Sequence, residues 1–257
     1  MEFDLSIVDV TGSTNDDLLQ AGKQGAPHGM GLAARSQTAG RGRRGHTWDS
    51  TAGNLLLSIV LRPHVSASRY AGLAAVAGLS VLKVLEKHGL ADEIALKWPN
   101  DLVARGRKLG GILVEASRDI HGKPFAVCGI GVNVAYTPHD VPDGGLAAIG
   151  LTDLNSPVPT VDILLKEVYQ TVVEDTDRWA DKLATLPASS GPLAPILDDY
   201  VAHLIWIGAN VTVRSPAGDK VAQGAIKTVD TFGRAEIETK DGLVKFHFEE
   251  ASLRPAE

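Results

Sequence analysis

Gly40-Arg41-Gly42-Arg43-Arg44-Gly45-His46-Thr47-Trp48 is followed shortly by Asn54-Leu55-Leu56-Leu57-Ser58-Ile59-Val60-Leu61, and the second stretch decides how the first is read. The glycines of the first match the G-x-G-x-x-G spacing of dinucleotide-binding folds. That fingerprint needs a strand before it and a helix N-terminus directly after it. Gly31-Leu32-Ala33-Ala34-Arg35-Ser36 supplies a plausible strand, but residues 54–61 form an apolar run of strand character and not an amphipathic helix. No cradle of helix amides is therefore expected, and the three arginines must supply the positive charge. Guanidinium groups offer forked donors matched to phosphate and carboxylate oxygens. Glycine lets backbone approach a ligand closely, and Trp48 closes the segment with a flat face suited to a base. The stretch reads as a loop between two strands that wraps an anionic nucleotide, against the plainer reading of a solvated basic turn. Three adjacent cations with no evident partner predict a segment, Thr38 to Asp49, that stays mobile until an anion arrives.

The 257 residues are 44% hydrophobic and 22% charged, ordinary values for a globular protein and enough for one large domain and one small one. Formal net charge is −6, so the basic loop is a local exception on an acidic body, which favours a small anionic ligand over nucleic acid. Cys128 is the single cysteine; it excludes an internal disulfide and sits in an apolar run, as a buried small hydrophobe does. No apolar run is expected to reach membrane-spanning length, and Met1-Glu2-Phe3-Asp4 lacks the basic start of a signal peptide. The expectation is a cytoplasmic protein.

Along the chain, Ser13-Thr14-Asn15-Asp16-Asp17 reads as a helix N-cap with acidic residues in the first turn. Apolar residues recur at helical spacing from Ser68 to about His88. Ile94-Ala95-Leu96-Lys97-Trp98 looks like a strand broken at Pro99. Leu102-Val103-Ala104 and Gly110–Glu115 read as strands around a basic turn, Arg105-Gly106-Arg107-Lys108, and Phe125–Val134 as a further strand. A Gly-, Pro- and Asp-rich loop is expected over Pro138–Pro159, then helices over Val161–Leu183 and Leu193–His203. From about Ile207 short alternating strands with Gly- and Asp-containing turns predict a small β-barrel. The expected division is a catalytic domain over 1–205 and a small barrel over 206–257.

Polar groups interrupt the apolar strands in five places: Ser13-Thr14-Asn15; Gln37 with the arginine loop; Lys97-Trp98-Pro99-Asn100-Asp101; Lys108-Leu109-Gly110-Gly111-Ile112-Leu113-Val114-Glu115; and Gly129-Ile130-Gly131-Val132-Asn133. In this order, over nearly the whole chain, they resemble the biotin protein ligases, enzymes that attach biotin to a lysine of biotin-dependent carboxylases. The resemblance implies an α+β fold, a mixed sheet packed with helices of the class II synthetase and biotin ligase type, plus the small C-terminal β-barrel. It implies that biotin and ATP, with Mg²⁺, form biotinyl-5'-AMP, and that biotin then passes to a lysine of a biotin carboxyl carrier protein. So little precedes Ser13 that the monofunctional type is expected, without a DNA-binding domain, membrane association or repressor activity, as a monomer or weak homodimer.

The resemblance also implies roles. Ser13, Thr14, Asn15, Gln37, Gly40, Arg41, Gly42, Arg43, Lys108, Gly111, Gly129 and Gly131 fall on the biotin side. Arg41, Arg43, Arg44, Trp48, Asn100, Lys108 and Asn133 fall on the ATP or adenylate side, with Trp48 against adenine and Asn133 on its edge. Lys108, Arg43 and Asp101 are the candidate catalytic residues. A carboxylate attacking a phosphate brings two anions together, so fixed cations carry much of the catalysis. Asp101 is expected to orient the acceptor amine or take its proton, and Asn100 and Asp101 to hold Mg²⁺; the sequence does not divide these roles. Where many relatives have arginine this chain has His46, a weaker and pH-dependent cation. A lipoate or octanoate ligase shares the expected fold but places a glycine-rich, histidine-containing motif after its arginines. A non-catalytic biotin-sensing module is a third reading; it would not need Lys108 and the loop arginines, all of which are present.

Overall fold

The computed structural model describes residues 4–135, 145–154 and 157–256; residues 138–144 and 155–156 of the expected loop lie outside them. A seven-stranded mixed sheet runs β1 (Leu5–Thr11), β2 (Gly31–Gln37), β3 (Leu55–Leu61), β7 (Pro124–Val132), β6 (Arg107–Arg118), β5 (Asp101–Ala104), β4 (Ile94–Lys97). Only β1 and β2 pair in parallel. The arginine loop connects β2 to β3, so it joins two strands, as the apolar run requires, and the dinucleotide-fold reading falls away.

The period of two in β3 and β7 sorts the sheet's faces. Leu55, Leu57, Ile59 and Leu61, with Ala126, Cys128, Ile130 and Val132, join the main core under α2 (Leu73–Lys87) and α3 (Val161–Ala184). Val60, Phe125 and Val127 point the other way, where α1 (Thr14–Lys23) covers them with Leu18. Ten-residue α1 is too short to cover that face. Beyond its N-terminus the alternation places Leu56 and Ser58 of β3 opposite Gly131 and Gly129 of β7, and Gly131 and Gly129 opposite Gly111 and Leu113 of β6. Small residues on the uncovered stretch of sheet leave a cleft.

The expected helix from Ser68 is a 3-10 turn, Ala67–Gly72, followed by α2. The stretch Ala67–Lys87 does have the length and apolarity to cross a membrane, contrary to expectation, but it is largely buried and packs on α3 and the sheet as a core helix. The helix expected over Leu193–His203 shortens to α4 (Leu197–Ala202). Cys128 is buried, and burial alone pushes its thiol up to about 12, so it is an inert hydrophobe.

The C-terminal strands form one antiparallel sheet, β11 (Gly242–Phe246), β10 (Ala235–Thr239), β9 (Lys220–Val229), β8 (Asn210–Arg214), β12 (Ser252–Pro255). Among the described residues β11 and β12 do not pair, so the small all-β unit is a five-stranded sheet rather than a hydrogen-bonded closed barrel. The segment leading into it pairs with Leu96 through residues 203 and 205, and Trp98 Nε1 ties the sheet itself to the larger unit by donating to Gly233 O at 2.9 Å.

Remote from the cleft, His28 Nδ1 accepts the Arg62 backbone N–H at 2.9 Å, and Nε2 lies 3.1 Å from Asp177 Oδ1. Burial lowers the His28 pKa; Asp177 opposes this, while His64 and Arg62 add to it. Protonating Nδ1 would also set two donors against each other. The unfolded chain therefore binds the proton more readily than the folded one, and stability falls as pH drops through about 6.5. The thermal midpoint of the wild type is expected to fall between pH 7.5 and 5.5 more than that of His28→Gln, whose amide oxygen can still accept the Arg62 N–H. Parallel midpoints across that range would remove His28 from the account.

Candidate active site

The cleft has a volume of about 1170 Å³. Its floor is the row Leu56–Gly131–Gly111 of β3, β7 and β6, continued to Asp101 of β5. One wall is the N-terminus of α1, the arginine loop closes one side, and the C-terminal sheet reaches the rim.

At the α1 wall, Ser13 acts as the N-cap, its Oγ accepting from Asp16 N at 3.5 Å. Gln37 Oε1 accepts from Thr14 N at 2.7 Å and Thr14 Oγ1 at 3.0 Å, while its Nε2 donates to Ser50 Oγ at 2.8 Å. Asn15 Nδ2 donates to Glu115 Oε2 at 2.9 Å, and its Oδ1 accepts from Ser58 Oγ at 2.7 Å. Ser13, Thr14 and Asn15 are buried. The expected biotin-side residues are thus one interlocked network, with their orientations fixed before any ligand enters. Ser58, Ser50 and Glu115 were not anticipated as site residues. The legible signal for Ser58 was a lone hydroxyl in an otherwise apolar strand.

The glycines serve the protein's own side chains as much as a ligand. A Cβ at Gly129 would stand 2.2 Å from Asn15 Oδ1, and one at Gly131 2.6 Å from the Trp48 ring. Gly129 and Gly131 therefore seat Asn15 and Trp48 against the sheet, where close approach of a ligand was expected. Gly111 lies under the edge of the same indole and Gly42 under His46. Gly40, expected on the biotin side, does not line the cleft; it is buried against Ser50 and the Trp48 carbonyl.

The arginines find acceptors within the protein, where the sequence showed them no evident partner. Arg41 pairs with Asp16 and, at 2.7 Å, with Glu115 Oε1. Arg43 Nη1 donates to Asn100 Oδ1 at 2.8 Å. Arg44, expected on the nucleotide, directs Nη2 to the carbonyls of Phe248, Glu249 and Ala251. Its φ of 57° lies in the left-handed region, which costs a residue with a Cβ roughly 1–2 kcal/mol.

Three charges converge on the floor. Asp101 Oδ1 lies 2.8 Å from Lys108 Nζ, and Oδ2 accepts from Lys97 Nζ at 3.0 Å. Burial would raise the Asp101 pKa, but Lys108 and Lys97 outweigh it and hold the carboxyl well below the usual carboxylate range. Burial pushes the Lys97 ammonium down and Asp101 opposes that. Lys108 is not in a turn, as expected, but on β6, with Arg105-Gly106 as the turn; its Nζ lies 5.6 Å from the Trp48 ring centroid, a cation–π distance. Lys97 was legible only as part of a motif, because nothing in the sequence shows that it lies beneath Asp101.

A carboxylate so strongly stabilised is a weak base, so Asp101 is suited to hold Lys108 in place rather than to take a proton. Nor do Asn100 and Asp101 fit the expected Mg²⁺ site. Both Asp101 oxygens face ammonium groups, while Asn100 accepts from Arg43 and donates to Ile112 O at 2.7 Å. No cluster of three or more His, Cys, Asp or Glu is arranged for a metal among the described residues.

Trp48 Nε1 and Asn133 Oδ1 are buried without hydrogen-bond partners among the described residues. Both border the cleft. A buried polar atom without a partner is costly, and a ligand bearing both donors and acceptors would relieve the cost. Arg214 and Arg254 of the C-terminal sheet also reach the rim. No candidate site residue was expected in that unit.

A mixed sheet joined to a small β-unit, its cleft flanked by an arginine loop and floored by the Lys108–Asp101–Lys97 charges, defines a site built to take an anionic substrate. The model of the Biotin/lipoate A/B protein ligase family matches residues 7–133, and that of the Biotin protein ligase C terminal domain matches residues 206–254. A biotin–[acetyl-CoA-carboxylase] ligase of Mycobacterium tuberculosis is 36% identical over 90% of this chain and 81% of its own length. One from Paracoccus denitrificans is 33% identical over 87% of this chain and 89% of its own length. The structure of the biotin protein ligase of Aquifex aeolicus in complex with biotin and ATP superposes with a TM-score of 0.80 over all of both chains, at 26% identity. The chain belongs to the biotin protein ligase family.

Proposed function

We propose that this protein joins biotin to ATP, releasing pyrophosphate, and then transfers biotin from biotinyl-5'-AMP to a lysine of a biotin carboxyl carrier protein. In the first step a biotin carboxylate oxygen bonds to the α-phosphorus, and the bond to the β-phosphate oxygen breaks. In the second the carrier amine attacks the acyl carbon, AMP leaves with the bonding electrons, and the nitrogen loses a proton as the amide forms. The observation that carries this reading is the pairing of Lys108 with Asp101 beside Arg43 and Asn100. Lys108 and Arg43 are fixed cations lining a cleft large enough for both substrates. Their charge is already aimed where negative charge accumulates, so little reorganisation is needed during reaction.

Protein incubated with ATP, Mg²⁺, biotin and an apo-carrier is expected to release pyrophosphate and raise the carrier's mass by one biotinyl group. Lipoate in place of biotin is expected to support neither. An unchanged carrier mass with biotin, or a preference for lipoate, would overturn the assignment.

The activated intermediate is a mixed anhydride that water hydrolyses, so the loop must hold it and exclude solvent. Arg43→Gly removes the charge at the centre of that loop. Losing one charge-assisted hydrogen bond costs roughly 1.5–3 kcal/mol, about tenfold to a hundredfold in retention. The variant is expected to release activated biotin and label lysines of serum albumin, read by streptavidin blot. Albumin labelled no more than by wild type, with pyrophosphate release intact, would acquit Arg43 of retention.

A further inference from the structure

On the function proposed above, Arg43 must keep its guanidinium where charge develops, and the groups that hold it come largely from the other domain. Arg43 Nη2 donates to Phe248 O at 2.8 Å, and its guanidinium carbon lies 5.6 Å from the centroid of the Phe248 ring. Its Nη1 bond to Asn100 links it onward to β6, because Asn100 Nδ2 donates to Ile112 O. Arg44 points to the same place: Nη2 lies 3.1 Å from the carbonyl oxygens of Phe248 and Glu249 and 3.2 Å from that of Ala251.

Those carbonyls belong to one tight turn between β11 and β12. Glu250 N and Ala251 N both donate to His247 O, at 3.0 and 3.1 Å. Carbonyl groups at the end of such a turn lack partners within it and carry partial negative charge. The two hydrogens of Arg44 Nη2 are shared among the three, and Phe248 O also accepts from Arg43 Nη2. The left-handed backbone of Arg44 is the second observation. A side chain held in that region persists when its surroundings over-determine it, and such strain gathers at functional segments.

We infer that the turn 247–251 is a latch that holds the arginine loop closed from the C-terminal domain, with Arg44 and Phe248 as positioning residues for Arg43. Arg44 spends its charge on the latch and not on the nucleotide. Retention of the activated acid then depends on a segment 205 positions away in sequence. Docking of the two domains and closure of the loop become one event.

The test uses the full chain and four variants. Arg44→Gly removes the latch while leaving a residue that takes positive φ freely. Phe248→Ala removes the ring, Phe248→Leu keeps apolar packing without a π face, and Phe248→Tyr restores the ring. Amide hydrogen exchange is measured without ligand at residues 40–48, where Gly42 N, His46 N and Trp48 N donate within the loop. Exchange is expected to quicken about tenfold or more in Arg44→Gly and Phe248→Ala, and to stay near wild type in Phe248→Tyr. If Phe248→Ala does not fold, Phe248→Leu is read in its place, with the same expectation.

The second readout is escape of activated biotin formed in a single turnover. It is expected to quicken about tenfold in the same variants, while KM for ATP moves less than about twofold. Unchanged loop exchange in Arg44→Gly and in the Phe248 variant lacking the ring overturns the latch. So does a raised KM for ATP with normal retention, which would return Arg44 to the nucleotide. The exchange measurement needs no catalysis, so a wild type that releases no pyrophosphate would sink the proposed function and leave the latch still decided.

Discussion

Lys108→Ala lowers biotin-dependent pyrophosphate release by about 10²- to 10³-fold, the usual effect of removing one preorganised charge donor from a transition state. The lysine is placed for that loss to be chemical rather than structural. It sits on β6 with its Nζ 2.8 Å from Asp101 and about a third of its side chain exposed, so its removal opens no core cavity. Asp101 keeps the Lys97 ammonium at 3.0 Å, and the stability lost with one charged hydrogen bond is roughly 1.5–3 kcal/mol. The variant is expected to fold, to bind biotin, and to fail at making the adenylate. Release within threefold of wild type by a folded variant would move the charge role to Arg43 or the C-terminal arginines. Lys108→Arg is expected to rescue little, because a planar fork does not reproduce a compact ammonium between Asp101 and the Trp48 face.

Asp101→Asn is expected to cost stability as well as activity, by about 3–5 kcal/mol, the range for breaking a buried pair and leaving one charge without its partner. The stranded charge is Lys97, which is almost wholly buried at 3% exposure. Its pKa, already pushed down by burial, then loses the carboxylate that opposed the shift. The unfolded lysine binds its proton more readily than the folded one, so the variant's stability should rise with pH toward 9 as Lys97 becomes neutral. Urea midpoints with unchanged m values measure both the cost and its pH slope. Lys97→Met combined with Asp101→Asn is expected to regain part of the loss, since no buried charge remains unpaired. A deficit under about 1 kcal/mol in the single variant, or one that does not shrink with pH, would show that Lys97 is not held by Asp101.

How much of this was legible varies with the range of the interaction. The strand after the arginine loop was legible because a period of two, or none, in an apolar run is local information, and it weighed against the dinucleotide fold before the β2–β3 connection removed it. Ser13 was legible as an N-cap for the same reason, and its motif also carried the family resemblance. The change of texture near Ile207 announced a second, all-β unit. The motifs that carried the family resemblance, rather than residue type alone, marked Lys108, Arg43, Asn100 and Asp101 as candidate site residues.

Tertiary structure decided what those residues touch. The glycines at 129 and 131 read as room for a ligand, but register across three strands puts them beneath Asn15 and Trp48. Asp101 read as a candidate base or metal ligand, and only the approach of Lys97 and Lys108 from β4 and β6 makes it a weak base and an anchor. Arg44 read as one more phosphate cation, while the fold brings it three carbonyls from a turn two hundred residues away. Sequence determines which groups exist and which local geometry their backbone prefers. Charge, hydrogen bonding and basicity depend on neighbours within a few ångströms, and in this chain those neighbours come from strands and a second domain that only folding brings together.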